Sequence, residues 1–155
     1  VNIVRIETTI RASIERCFDA ARDLDLHVQS MAHTNEIAIA GRTTGLIELG
    51  EEVTWRGRHF GVVQTFTSRI TAFERPFYFQ DSMVRGAFQS FVHDHLFVAE
   101  NGQTRMTDVL VFAAPLGILG RLAEKVLLHR YMERLLTTRA EIIKAALENV
   151  DRGCK

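Results

Sequence analysis

The stretch Phe88–Phe112, FQSFVHDHLFVAENGQTRMTDVLVF, decides the fold. Asn101-Gly102 at its centre is the strongest short hairpin signal a sequence carries, because a type I′ turn needs positive φ at both central residues. Pairing Glu100 with Gln103 across that turn sets the rest by counting outward. Phe97 then opposes Met106, His95 opposes Asp108, His93 opposes Leu110 and Phe91 opposes Phe112. Opposed residues share a sheet face, so one face carries Phe91, His93, His95, Phe97, Met106, Asp108, Leu110 and Phe112. Imidazoles and a carboxylate set among aromatic and aliphatic side chains suggest the wall of a pocket more than a plain core.

The segments before this hairpin extend the pattern. Val1 to Thr9 alternates through Ile3 or Val4 and Ile6 toward Ile10, as an opening strand. Ser13 is placed to cap a helix whose stripe is Ile14, Cys17, Phe18 and Ala21, although Arg16 stands where a capping box puts an acid. Asp23 starts a second short helix running toward Met31. From Asn35 to Ala114 strand follows strand: Ile37-Ala38-Ile39, then Leu46–Gly50 leading into Glu51–Arg56, a turn at His59-Phe60-Gly61, Val62–Phe73, and Phe77–Val84. Short turns between them require antiparallel pairing. Pro76 and Pro115 both stand at boundaries, as prolines beside a sheet must.

Beyond Pro115 the pattern turns helical, with Gly117 and Gly120 loosening the start so that regular helix begins near Arg121. Running to Asn149, it would be about 43 Å long. Arg130, Arg134, Thr137, Glu141, Lys144 and Glu148 form its solvated face. Leu128, Tyr131, Leu135, Ile142 and Ala146 form the apolar stripe, widened by Leu136, Ile143 and Leu147. The expected class is α+β: a long amphipathic helix across the concave side of roughly six or seven antiparallel strands, with two short helices after the first strand.

That order resembles the helix-grip fold of START lipid-transfer domains, the birch-pollen allergen family and bacterial polyketide cyclases. The segments that carry the likeness are Gly50–Trp55, His59-Phe60-Gly61, Phe79–Gly86, His93–Phe97, Met106-Thr107-Asp108 and Pro115-Leu116-Gly117. They look like the bacterial ligand-binding or cyclase-like branch. The resemblance spans nearly the whole chain and implies an elongated cavity between sheet and helix that holds an apolar or aromatic ligand. It also implies no protein-ligated metal and no cofactor.

Composition narrows the partners. The 155 residues suit one domain, 1–155, with a frayed tail from about residue 150. Nineteen basic residues balance nineteen acidic ones, so nothing argues for nucleic acid or an anionic membrane surface. Cys17 and Cys154 lack metal-type spacing, which favours a reducing cytoplasm. The opening residues lack a signal-peptide pattern, and no apolar run approaches the roughly 20 residues that span a bilayer. The expectation is a cytoplasmic monomer or weak homodimer with no stable membrane insertion.

The candidate ligand contacts follow from the shared faces. His95 and Asp108 form a candidate dyad, in which the carboxylate sets the imidazole tautomer for general-base work, orients a ligand, or simply satisfies a buried hydrogen bond. His93 and His95, two apart on a strand, point the same way. With Asp108 opposite, the spacing permits three metal ligands without distinguishing such a site, and none is assigned. A three-residue turn at Arg85-Gly86-Ala87 would add Phe79, Asp81 and Met83 to this face. Trp55 sits on the apolar side of its strand, and the Tyr131 hydroxyl on the helix stripe needs a buried partner. Leu110 and Leu135 complete the set, with His59 a candidate gate and His27, His33 and His129 surface or helix-end residues. The leading reading is binding of a small apolar or aromatic molecule, lipid- or polyketide-like. The alternative is a cyclase- or dehydratase-like enzyme using the His-Asp pair. An interaction module or dimer subunit is a third reading.

Overall fold

Alternation of small polar and branched apolar residues makes the first strand, β1 (Asn2–Ile10), whose Val4 and Ile10 are buried. Ser13 follows it and caps α1 (Ile14–Ala21), its hydroxyl accepting from the Arg16 amide. Asp23 caps α2 (Leu24–Ser30) in the same way through the amides of Asp25 and Leu26. A short 3-10 turn, Ala32–Thr34, leads into β2 (Ile37–Gly41), β3 (Glu52–His59), β4 (Val62–Glu74), β5 (Tyr78–Arg85), β6 (Ser90–Glu100) and β7 (Gln103–Ala113). The last element is α3 (Leu122–Val150). The computed structural model describes residues 1–114 and 122–150, the side chains of 122–124 excepted. Pro115, Gly117, Gly120, Arg121, Cys154 and the tail from 151 lie outside the described residues.

The seven strands form one antiparallel sheet in the order β1-β7-β6-β5-β4-β3-β2. The central hairpin has the register its turn dictates, with His95 opposite Asp108 and Phe91 opposite Phe112. Asn101 and Gly102 both have positive φ, 51° and 76°. The β3–β4 connection uses the same geometry with Phe60 and Gly61 at 52° and 74°. An aromatic side chain in that region is strained, because its Cβ crowds the following carbonyl.

The turn between β5 and β6 differs from expectation by two residues. Asp81 pairs with His93 and Phe79 with His95, which centres the turn on Ala87 rather than on Gly86. A shift of two preserves the face, so Phe79 and Asp81 still point inward.

Helix α3 crosses the inner face of the sheet, with β1, α1 and α2 against it. Its buried line runs through Leu128, Met132, Leu135, Leu136, Arg139, Ala140, Ile143 and Leu147. This stripe is rotated slightly from the expected one: Ile142 and Ala146 are only half-buried, and Met132 and Arg139 replace them inside. Two apolar cores result. One gathers Phe18, Phe79, Phe97, Met106 and Ile143, the other Val4, Leu110, Phe112, Leu128 and Leu136. Between Met106 and Leu110 on β7 lies Asp108, and between Leu136 and Ile143 on α3 lies Arg139. A polar layer therefore separates the two cores.

Candidate functional site

Sheet, α2 and α3 line a half-open cavity of about 270 Å³, just below the usual range for small-molecule pockets. Its wall includes Leu24, Trp55, Ile70, Phe79, Phe91, Leu128, Met132 and Leu135. Two polar clusters also open onto it.

The inner cluster is the polar layer. His93 Nε2 hydrogen-bonds Asp108 Oδ1 at 2.9 Å, and His95 Nε2 bonds Asp81 Oδ2 at 2.9 Å. His95 Nδ1 also stands 2.9 Å from Asp108 Oδ1 but off the hydrogen-bond direction, so that approach is ionic. Arg139 completes the layer, donating to Asp108 Oδ1 at 3.3 Å and to the Ala21 carbonyl at 2.6 Å. Phe79 stacks on His95 with ring centres 4.1 Å apart, which holds the imidazole plane.

Burial opposes every charge here, and the partners decide the outcome. Burial and the neighbouring His95 push His93 below its ordinary pKa. Burial acts the same way on His95, yet Asp108 and Asp81 outweigh it and raise that pKa. Asp108 is held well below the carboxylate range against the cost of burial by His93, His95 and Arg139. Asp81 is lowered too, chiefly by His95 once burial is overcome.

The outer cluster joins four segments. His27 Nε2 meets Glu36 Oε1 at 2.6 Å, and His59 Nε2 lies 3.5 Å from Glu36 Oε2. His59 Nδ1 pairs with the Tyr131 hydroxyl at 2.7 Å. Burial would raise the Glu36 pKa, but the two histidines bring it down to about 2. Burial and the Glu36 charge raise that of Tyr131. Gly57 makes room for the carboxylate: a Cβ there would sit 3.3 Å from both Glu36 Oε2 and His59 Nε2. Trp55 packs on His27 at 4.3 Å, and Phe60 packs on Tyr131 at 4.4 Å.

Of the residues singled out from sequence, Trp55, Phe79, Asp81, Phe91, His93, His95, Tyr131 and Leu135 line the cavity. Met83, Asp108 and Leu110 do not. Asp108 is 1% exposed and lies behind the two imidazoles. Leu110 is spent in the second apolar core, and the Met83 sulfur lies against the Gly86 turn. His27 stands in the last turn of α2, a helix-end histidine as expected, and it also lines the cavity and binds Glu36.

Among the other polar wall residues that the sequence does not single out as ligand contacts, three stand closest to the two clusters. Arg139 lies four residues from Leu135 and four from Ile143, a charged residue on an apolar stripe, and that mismatch was its signal. His59 follows from continuing the alternation Val53, Trp55, Gly57. Glu36 precedes a short strand and carries no local signal.

No protein-family model and no curated protein matches the sequence. Solved structures do match over nearly the full chain. Protein TTHA0849 from Thermus thermophilus superposes with a TM-score of 0.72 at 21% identity, covering 94% of this chain and 99% of its own. Protein Ms6760 from Mycobacterium smegmatis gives 0.69 at 18% identity, over 96% and 92%. Ginseng major latex-like protein 151 from Panax ginseng gives 0.65 at 14% identity, over 94% and 97%. These likenesses define the fold: the chain has the helix-grip architecture expected from the sequence. No helix among the described residues is long and apolar enough to cross a membrane.

Proposed function

We propose that the protein binds a small apolar or aromatic molecule in the cavity between its sheet and α3. The observation that carries this reading is a half-open, mainly apolar cavity with polar side chains converging on it from two sides. Desolvation of apolar surface supplies the driving force. Asp81 and His93 Nδ1 offer hydrogen bonds to a ligand hydroxyl at one wall, and His59 with Tyr131 offers them at the other. The cavity volume favours a compact aromatic or short-chain compound over a long-chain lipid. The helix-grip neighbours include an Ara h 8 protein and the ginseng latex-like protein, and their shared architecture is compatible with such a cavity.

The binding reading is preferred to the cyclase- or dehydratase-like alternative because both nitrogens of His95 face carboxylates. An imidazole held this way serves better as a fixed donor than as a free base.

Trp55, the single tryptophan, reports directly on the cavity. Titration with a panel of flavonoids, short fatty acids and aromatic polyketides should quench or shift its fluorescence with saturation. Native mass spectrometry of freshly purified protein should retain an adduct of the same class. A panel without saturable response, together with no adduct, would overturn the reading.

A further inference from the structure

The inner cluster has an arrangement that hydrogen bonding alone does not require. His93 and His95 each turn one ring nitrogen toward Asp108 Oδ1, at 2.9 Å in both cases. Their other nitrogens turn toward Asp81 Oδ2, His95 Nε2 at 2.9 Å and His93 Nδ1 at 3.8 Å. One donor atom from each of Asp81, His93 and His95 therefore lies within 4.8 Å of the others. Ligands held about 2.0–2.1 Å from a zinc ion in tetrahedral geometry sit roughly 3.3 Å apart. The two spacings to Asp81 Oδ2, 2.9 and 3.8 Å, bracket that value.

We propose that Asp81, His93 and His95 form a binding site for a divalent transition-metal ion such as Zn²⁺, with an open coordination position facing the cavity. This departs from the expectation of no metal, and it differs from the ligand set the sequence permitted. Asp108 is the carboxylate behind the imidazoles, not a ligand. Metal-binding histidines commonly place their second nitrogen on a carboxylate that sets tautomer and ring orientation, and Asp108 does this for His93 while standing beside His95 Nδ1 without a hydrogen bond.

Two further features fit. Two imidazoles and one carboxylate are a donor set suited to first-row divalent ions. Finally, Asp81, His93 and His95 all line the cavity, so the remaining coordination position points where a water or a ligand oxygen can enter. Such an ion would polarise a bound carbonyl or hydroxyl. The metal site does not depend on the proposed ligand class, so it is tested with the metal alone.

The experiment is titration of chelator-treated protein with Zn²⁺ and, separately, Co²⁺, followed by calorimetry and visible absorption. The expected result is one ion per chain, a Co²⁺ spectrum of low-symmetry N/O coordination, and a raised Tm. Asp81→Asn and His93→Gln should each weaken binding at least about 10-fold, while His33→Gln, on an exposed residue, should leave it unchanged. X-ray absorption on the zinc-loaded wild-type chain gives a measurement that needs no variant to fold: two imidazoles, one carboxylate oxygen and no sulfur. Absence of saturable 1:1 binding would overturn the proposal. So would loss of the ion in Glu36→Gln with retention in Asp81→Asn, which would place it in the outer cluster.

Discussion

The inner cluster of Asp81, His93, His95, Asp108 and Arg139 rises from three neighbouring strands and one helix, whereas the outer cluster of His27, Glu36, His59 and Tyr131 is gathered from four separate segments. Both hold carboxylates and imidazoles against one cavity, and both depress their carboxylate pKa values. They differ in what supports them. The inner groups are locked by ladder pairing and lie between two packed cores. The outer groups rest on a helix of seven residues, a loop and a strand end beside a strained turn. Rigidity of the inner cluster suits orientation of a bound atom, and the lighter support of the outer one suits entry and exit.

The sharpest way to break this contrast is Asp108→Ala. It leaves Arg139 buried without its counter-charge and His95 with Asp81 alone, and should cost about 3–5 kcal/mol, read from urea unfolding. Adding Arg139→Met should return part of that loss, because the uncompensated guanidinium goes with it. If Asp108→Ala costs less than an outer-cluster variant, the two regions have been ranked wrongly.

Glu36→Gln comes next. A carboxyl whose folded pKa lies near 2 instead of 4.5 contributes roughly 3 kcal/mol at neutral pH. The folded pKa is depressed, so the contribution is fully present above pH 4.5 and is lost as pH falls through about 2. His27 from α2 and His59 from β3 face this carboxylate, with Tyr131 from α3 reaching it through His59. Wild-type stability should therefore fall more steeply than that of Glu36→Gln between these pH values, in parallel denaturation series.

Gly57→Ala should have a smaller effect of about 1 kcal/mol, since the new methyl presses on Glu36 and His59. Thermal melts at matched pH should show it, and it should persist in Glu36→Gln, because glutamine keeps the same shape. Phe60→Gly should change stability least. Relief of left-handed backbone strain, about 1 kcal/mol, offsets loss of the Tyr131 ring contact. Its expected signature is faster ligand release, followed through Trp55 by stopped flow. Unchanged release would mean that the outer cluster does not control the entrance.

Particular residues show how far sequence reasoning reached. Asn101-Gly102 determined the β6–β7 register to the residue, because a two-residue turn leaves no freedom in pairing. The Arg85–Ala87 turn did not, because several loop lengths give the same face; Asp81 was placed inward correctly but two positions from its partner. His93 and His95 were seen as neighbours, yet their division of labour was not. Asp108 was expected as the dyad partner in the wall, and it lies behind both rings instead.

By itself the sequence determined the α+β order of elements, the antiparallel sheet, the long C-terminal helix and the face on which the inner histidines lie. These are short-range consequences of periodicity, turn chemistry and capping. Only the tertiary structure decided that Arg139 neutralises Asp108 and that Asp81 closes the triangle with His93 and His95. It also brought His27, Glu36, His59 and Tyr131 to one side of the cavity. Those choices depend on the rotation of α3 over the sheet and on the curvature that brings distant segments together. Neither is written in any local run of residues; both follow from the requirement that buried charges find partners once the apolar cores have packed.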